Sequence, residues 1–359
     1  VHVECPVSQA TASESVAALD DGPSVQCRAV ADFAPAWFLR GPHAQTIWGR
    51  IARPRRLVAF RREVLPTPDG DELVLDHLDA PPRAQAPLHF ILLHGLEGSS
   101  YSVYMQGVLA VIARHGHAAT AVNFRSCARD PHNILRMLPN KRPRFYHSGD
   151  TGDFDFVLRT LHARDPHARF AAFGASLGGN VVLKWLGEHP EQTLVSAAAT
   201  LSVPYDLGAG ARLLEKSATG RFYLSRFLST LKRKAMRDDI APLVDRAAVL
   251  RARTFVEFDD AATAPIHGFA DANDYYARSS SIHYVGRVTT PTLALNAEDD
   301  PFLPNDILPR ARAAASKAID FRTTPAGGHV GFIGGRAPWR CEYWAEELVV
   351  RWCIEAAAS

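Results

Sequence analysis

Gly174-Ala175-Ser176-Leu177-Gly178 sets a serine between two glycines in a G-x-S-x-G spacing. Ahead of it, Ala168-Arg169-Phe170-Ala171-Ala172-Phe173 reads as a short apolar strand; behind it, Asn180 to Glu188 reads as a helix stopped by Pro190. A serine at a tight strand-to-helix turn has its hydroxyl held clear of the sheet. The positions two before and two after it must be nearly free of side chain, because the turn brings backbones together there. The chemistry this allows is nucleophilic acyl transfer. A serine hydroxyl is barely ionised at neutral pH, so it needs a base within hydrogen-bond reach, and the base needs a carboxylate to fix its tautomer. The plainer alternative is a glycine-rich turn with an incidental serine.

Candidates for both partners follow in the chain. His329, in Pro325-Ala326-Gly327-Gly328-His329-Val330-Gly331, comes just after a candidate strand at Ala318–Arg322. Of the fifteen histidines it alone is both post-strand and near the C-terminal end of the alternating region described below. The carboxylate has three adjacent candidates, Glu298, Asp299 and Asp300, after the candidate strand Thr292–Asn296. Pro301 fixes the turn beside Asp300, which makes Asp300 the expected acid and Asp299 its main rival. An oxyanion needs two backbone donors. One is the N–H of Leu177; the other is assigned to Leu96 in His94-Gly95-Leu96-Glu97-Gly98, where a glycine lets the backbone turn inward. His94 itself reads as a packed loop residue rather than a second base.

These loops need elements that deliver them to one edge of a sheet. Leu57–Phe60 and Glu72–Leu78 read as strands of a hairpin around Pro66-Thr67-Pro68-Asp69-Gly70, and Pro81-Pro82 resets the chain. Leu88–Leu93 is a continuous apolar run, as a strand buried on both faces of a parallel sheet must be. A helix over Tyr101–Ala113, a strand over Ala118–Phe124, a helix over Asp153–Ala163, the elbow strand and a strand over Leu194–Leu201 follow. This βαβ alternation predicts an α/β fold with a mostly parallel, doubly wound sheet and its site at the carboxyl ends of the strands. Between about residues 203 and 290 the alternation breaks into mostly helical pattern, an insertion suited to cap the site. A helix over Trp344–Ala356 closes the chain. Residues 1–30 read as a loose arm, and residues 31–359 as one domain carrying the insertion.

With 40 Lys and Arg against 38 Asp and Glu, the net charge is +2. The clusters Arg53-Pro54-Arg55-Arg56 and Lys232-Arg233-Lys234 are not interleaved with aromatics, read as solvated faces, and argue against nucleic acid. Five scattered cysteines without a C-x-x-C pair point to a reducing, cytoplasmic setting rather than a disulfide framework. Charges interrupt every apolar run before the ~18 residues needed to span a bilayer. Val1–Asp21 lacks the pattern of a secretory signal. Asp150, Asp153 and Asp155 lack the spacing of a calcium loop, and no metal or organic cofactor is expected.

Several blocks together resemble the YheT/EMB8-like branch of the α/β hydrolases, which includes the animal ABHD1 and ABHD3 lineages. They are Gly41-Pro42-His43-Ala44-Gln45-Thr46-Ile47-Trp48, His94–Ser99, Gly174–Asn180, Phe258-Asp259-Asp260 with Ile266–Phe269 and Tyr275-Tyr276, Asp299–Phe302 and Gly327–Phe332. The resemblance implies a Ser176–Asp300–His329 triad and esterase or lipase-like activity on small-molecule or lipid esters. It leaves peripheral membrane contact open. One departure is Arg125-Ser126-Cys127-Ala128-Arg129, where the family more often reads Arg-Gly-Cys followed by small residues. That loop is expected near the active-site face with an altered backbone or altered contacts. Phe222, Tyr223, Leu224, Phe227 and Leu228 form either an acyl-chain pocket or the insertion's own core. An acyltransferase using the same acyl-enzyme is the nearest rival function; a silent lipid- or partner-binding protein on the same fold is a further one.

Overall fold

The computed structural model describes residues 32–53, 57–81 and 87–358. The expected N-terminal arm at 1–30, most of the Arg53–Arg56 cluster, Pro82, Cys5 and Cys27 lie outside the described residues. Helix α1 (Pro42–Ala52) leads into strands β1 (Arg61–Pro66) and β2 (Glu72–Leu78), and then β3 (Leu88–Leu93), α2 (Val103–Arg114), β4 (Ala118–Asn123), α3 (Gly152–Arg164), β5 (Arg169–Ala175), α4 (Leu177–Glu188) and β6 (Val195–Leu201) alternate. Helices α5 (Leu207–Leu214), α6 (Ala218–Ala235), α7 (Arg246–Arg251), α8 (Phe255–Phe258), α9 (Ala264–His267) and α10 (Ala272–Ser279) follow without a strand. The sheet resumes with β7 (Thr292–Ala297), α11 (Ile307–Ala314) and β8 (Ile319–Thr324). The hairpin β9 (Ile333–Ala337) and β10 (Arg340–Tyr343) and helix α12 (Trp344–Ala358) complete the order.

Among the described residues the main sheet has eight strands in the order β1-β2-β4-β3-β5-β6-β7-β8. Only β2 runs against its neighbours, pairing antiparallel with β1 and β4; every other pair is parallel. The apolar run of β3 works as its pattern requires. Ile91 and Leu93 pack into one core with Phe154, Val182 and Trp185, whereas Phe90 and Leu92 pack on the other face with Val108, Leu348 and Trp352. Helices α3, α4 and α11 thus cover one face, and α2 and α12 the other. The chain leaves β3 for β4 on one side and returns to β5 on the other side of β3. Such a switch opens a crevice beyond the carboxyl ends of β3 and β5, where the loop after β3 and the elbow after β5 meet.

The hairpin turn falls where expected, with Gly70 N–H donating to Thr67 O, but the first strand does not. It is Arg61–Pro66, not Leu57–Phe60. The turn dictates a register in which Pro66 faces Glu72 and Arg62 faces Asp76, and the edge strand's charges are answered by Asp76, Asp79, His77 and Arg164. The apolar run before it serves as an anchor instead: the Leu57 and Val58 N–H groups both donate to Gln106 Oε1 on α2.

Candidate active site

Ser176 has φ 52° and ψ −121°, a left-handed conformation that a non-glycine residue holds only under constraint, at a cost of about 1–3 kcal/mol. Its N–H donates to Leu201 O at the end of β6 (2.8 Å), and α4 starts at the next residue. A Cβ on Gly174 would meet the backbone of Gly178, so strand and helix converge there as the spacing implied. A Cβ on Gly178 would instead run into the backbone of Leu93 and His94 at the end of β3. The second glycine therefore clears the neighbouring strand, not its own.

His329 Nε2 is 2.9 Å from Ser176 Oγ, and His329 Nδ1 is 2.8 Å from Asp300 Oδ2. The Asp300 side chain is fully buried, and its other oxygen accepts the Phe302 N–H (2.9 Å). Asp299, the rival, faces the histidine loop from behind, its Oδ1 accepting the Gly328 N–H (2.8 Å). Burial raises the Asp299 carboxyl's pKa, and the backbone donors of the loop oppose that rise. Adjacent carboxylates thus divide two tasks, one toward the imidazole and one toward its backbone.

The histidine loop is tightly coiled, with positive φ at Gly327, Gly328, Val330 and Phe332, and α1 is its mould. Thr46 Oγ1 donates to Pro42 O (2.7 Å) and accepts the His329 N–H (2.9 Å). Gln45, buried at 1% exposure, donates to Ile333 O (3.0 Å) and accepts the Ile333 N–H (2.7 Å). A Cβ on Gly331 would sit 2.5 Å from Gln45 O, which explains the glycine. Sequence reasoning missed this role for Gln45 and Thr46; the sole signal was the position of both residues in one of the resembling blocks.

On the opposite side, the Gly95 N–H donates to Tyr104 Oη and the Glu97 N–H to Tyr146 Oη, each at 2.7 Å. Among the described residues no acceptor is recorded for the Leu96 N–H between them, and none for the Leu177 N–H at the start of α4. His94 is the packed residue expected. It is fully buried, Nδ1 is 2.8 Å from Gly95 O, Nε2 accepts the Phe124 N–H, and burial pushes its pKa down to about 3. The neutral Nδ1–H tautomer fits both contacts.

Glu97, at φ 56°, accepts a hydrogen bond from Lys234 Nζ of α6 at 2.5 Å. Both side chains are buried (4% and 6% exposed), so Lys234 does not belong to a solvated face, unlike the exposed Arg233. Burial pulls the ammonium's pKa down, but its contacts with Cys127 and Glu97 outweigh that and leave it raised. The Cys127 thiol, pushed up to about 11 by burial, lies 3.1 Å away as a neutral sulfur. The departing loop Arg125–Arg129 is next to this pair. Ser126 takes φ 63° where a glycine would be unstrained, and its hydroxyl is held by Asn140 and by Arg237. Arg125, with its side chain 4% exposed, is bonded to Asp69, Asp71 and Asp153, while Arg144 takes Asp150.

A cavity of about 670 Å³ spreads from Ser176 and His329 beneath α5, α6 and α8. Of the five residues weighed as an acyl pocket, Tyr223 and Phe227 line it. Leu224 and Leu228 belong to the cap's own core, and Phe222 is 57% exposed, so the two readings divide the segment. The Phe302 ring lies against His329, tilted by 56° with ring centroids 4.3 Å apart, and packs edge-on against Tyr223. Asp259 enters the cavity from a π-helical turn at Asp259–Thr263, accepting Thr263 Oγ1 and Tyr276 Oη at 2.6 Å each. Burial raises this carboxyl to about 7. Among the described residues no group of His, Cys, Asp and Glu is placed to hold a metal ion, and no helix is long and apolar enough to cross a membrane.

Residues 89–335 match the family model of the alpha/beta hydrolase fold. YheT of Escherichia coli, a protein named as an esterase, is 34% identical over 90% of this chain and 93% of its own. Mouse phospholipase ABHD3 is 30% identical over 86% of this chain and 74% of its own. In structure, a Pyrococcus furiosus esterase superposes with a TM-score of 0.50 over 77% of this chain and 90% of that one, at 15% identity, a likeness of fold. The chain belongs to the α/β-hydrolase family, in the branch that holds YheT and ABHD3.

Proposed function

We propose that this protein is a serine hydrolase that cleaves carboxylic esters, with Ser176 as nucleophile, His329 as general base and Asp300 as the carboxylate that orients it. The unbroken chain Ser176 Oγ–His329 Nε2 and His329 Nδ1–Asp300 Oδ2 carries the reading. As Ser176 Oγ attacks the carbonyl carbon, its proton passes to Nε2, and buried Asp300 stabilises the imidazolium. The negative charge moving to the carbonyl oxygen meets the N–H groups of Leu96 and Leu177. Collapse of the tetrahedral adduct returns the proton to the leaving alcohol, and water repeats the sequence to free the acid. The fully buried acid and the Phe302 ring over His329 support this, since both shield the polarised pair from water.

The same reading makes α5–α10, inside the expected 203–290 segment of a single domain, a cap over the acyl side of the site. Leu207, Leu214, Phe227, Phe255 and Phe258 supply an apolar wall for the chain. Hydrolysis of p-nitrophenyl esters of graded acyl length, with Ser176→Ala as control, tests nucleophile and pocket together. Turnover that persists in Ser176→Ala refutes the nucleophile; a new ester formed when an alcohol is added makes the enzyme an acyltransferase.

A further inference from the structure

The charges around the cavity do not balance. Each acid that lines it is engaged: Glu97 by Lys234 and Tyr146, Glu346 by Arg53, and Asp259 by Thr263 and Tyr276. Arg50, Arg129, Arg226 and Arg233 line the same cavity, and none has a carboxylate within ion-pair distance among the described residues. Two of them flank the loop that carries Leu96. Arg129, half-buried, donates to Glu97 O at 3.5 Å, and Arg50 is near enough for its charge to act on Tyr104, the phenol that holds the Gly95 N–H. The other two share a face of α6 two turns apart, at i and i+7, and line the cavity with Tyr223 and Phe227. The apolar wall under the cap suits an acyl chain, which leaves this cationic rim to the alcohol half of the ester.

We propose that the rim formed by Arg50, Arg129, Arg226 and Arg233 recognises an anionic group, phosphate or carboxylate, on the alcohol side of the ester. The inference rests on the hydrolase reading and deepens it. Guanidinium forks match both anions, and a cleft lined by one sign of charge concentrates ligands of the other. A rim built to dock the whole protein on an anionic bilayer is the competing use of the same arginines.

The test uses water-soluble butyryl esters of glycerol, glycerol 3-phosphate, lactate and choline, which share an acyl group and differ in alcohol charge. In wild type, kcat/KM for the two anionic esters exceeds that for the glycerol ester by about tenfold at low salt. The excess shrinks as salt rises, and the choline ester falls below the neutral one. In Arg226→Glu/Arg233→Glu and in Arg50→Glu the anionic-to-neutral ratio drops to one or lower. A wild-type ratio near one, with Ser176-dependent turnover of the glycerol ester, overturns the proposal. So does a ratio that these variants leave unmoved, or variants that alter only binding to phosphatidylglycerol vesicles. Calorimetric titration of butyryl glycerol 3-phosphate into Ser176→Ala protein reads the site without turnover. Heat of binding lost in the added Arg226→Glu/Arg233→Glu changes supports the site even if the hydrolase reading fails, and no saturable heat overturns it.

Discussion

Replacing Lys234 by Met removes the ammonium and keeps most of the aliphatic volume, and the cost follows from what remains. Glu97 Oε1 keeps the Tyr146 hydroxyl at 3.0 Å, Glu97 Oε2 already has no hydrogen-bond partner, and the side chain is 6% exposed. Breaking a buried pair from one side strands the other charge, at about 3–5 kcal/mol. Against a typical total of about 5–15 kcal/mol this is a large share, and urea unfolding followed by circular dichroism will show it as a lower midpoint at unchanged slope. Adding Glu97→Gln removes the stranded charge, so the double variant is expected to recover at least half of the loss rather than add to it. Because Glu97 is next to Leu96, Lys234→Met is also expected to lower kcat more than it changes KM. A single variant within about 1 kcal/mol of wild type, or a double variant whose losses simply add, refutes the reasoning.

Four further outcomes follow from the site. Asp300→Asn is expected to lower kcat on a p-nitrophenyl ester by about 10⁴ through loss of the imidazole's orientation. Asp299→Asn acts only through the loop backbone and costs about tenfold or less, so equal losses would contradict the division of labour. Gln45→Ala takes the side-chain acceptor from the buried N–H of Ile333 and leaves its C=O with the Ala36 N–H alone, costing about 1–3 kcal/mol in denaturant unfolding, with a fall in kcat as the His329 loop loosens. Asp259, raised to about 7 when folded, binds more protons folded than unfolded between its ordinary pKa and that value. Its contribution is full below about pH 4 and declines as pH rises toward 7, so Asp259→Asn should flatten that decline in a series of melting temperatures.

The sheet and the three residues of the proposed triad were legible because each is announced locally. Ser176 is bracketed by glycines between a strand and a helix, and Asp300 and His329 each follow a strand that is apolar enough to read. What was not legible rests on distant partners. Nothing around Gln45 points to Ile333, 288 residues on, and nothing in Lys232-Arg233-Lys234 says that the third residue turns inward to Glu97, 137 residues back. The first strand escaped for the opposite reason. An edge strand answered by ion pairs has little need of apolar residues, so Arg61–Pro66 carried only Val64 and Leu65 as a hydrophobic signal while the neighbouring Leu57–Phe60 is apolar throughout. Ser126 shows the same limit in one residue, since its type conceals the left-handed backbone that Asn140 and Arg237 help to hold.

The hydrogen bond from His329 N–H to Thr46 spans 283 residues of chain, and that distance is also a delay. At ~10 residues per second of synthesis, α1 emerges on the order of half a minute before the loop it shapes. Ser176 and the sheet around it can assemble in the interval, whereas the base cannot be seated until that loop has arrived. A protein trimmed to the family match, residues 89–335, would keep Ser176, Asp300 and His329 and lose Pro42, Gln45 and Thr46. It would carry every residue of the proposed triad and lack the clasp that brings the last of them to the first.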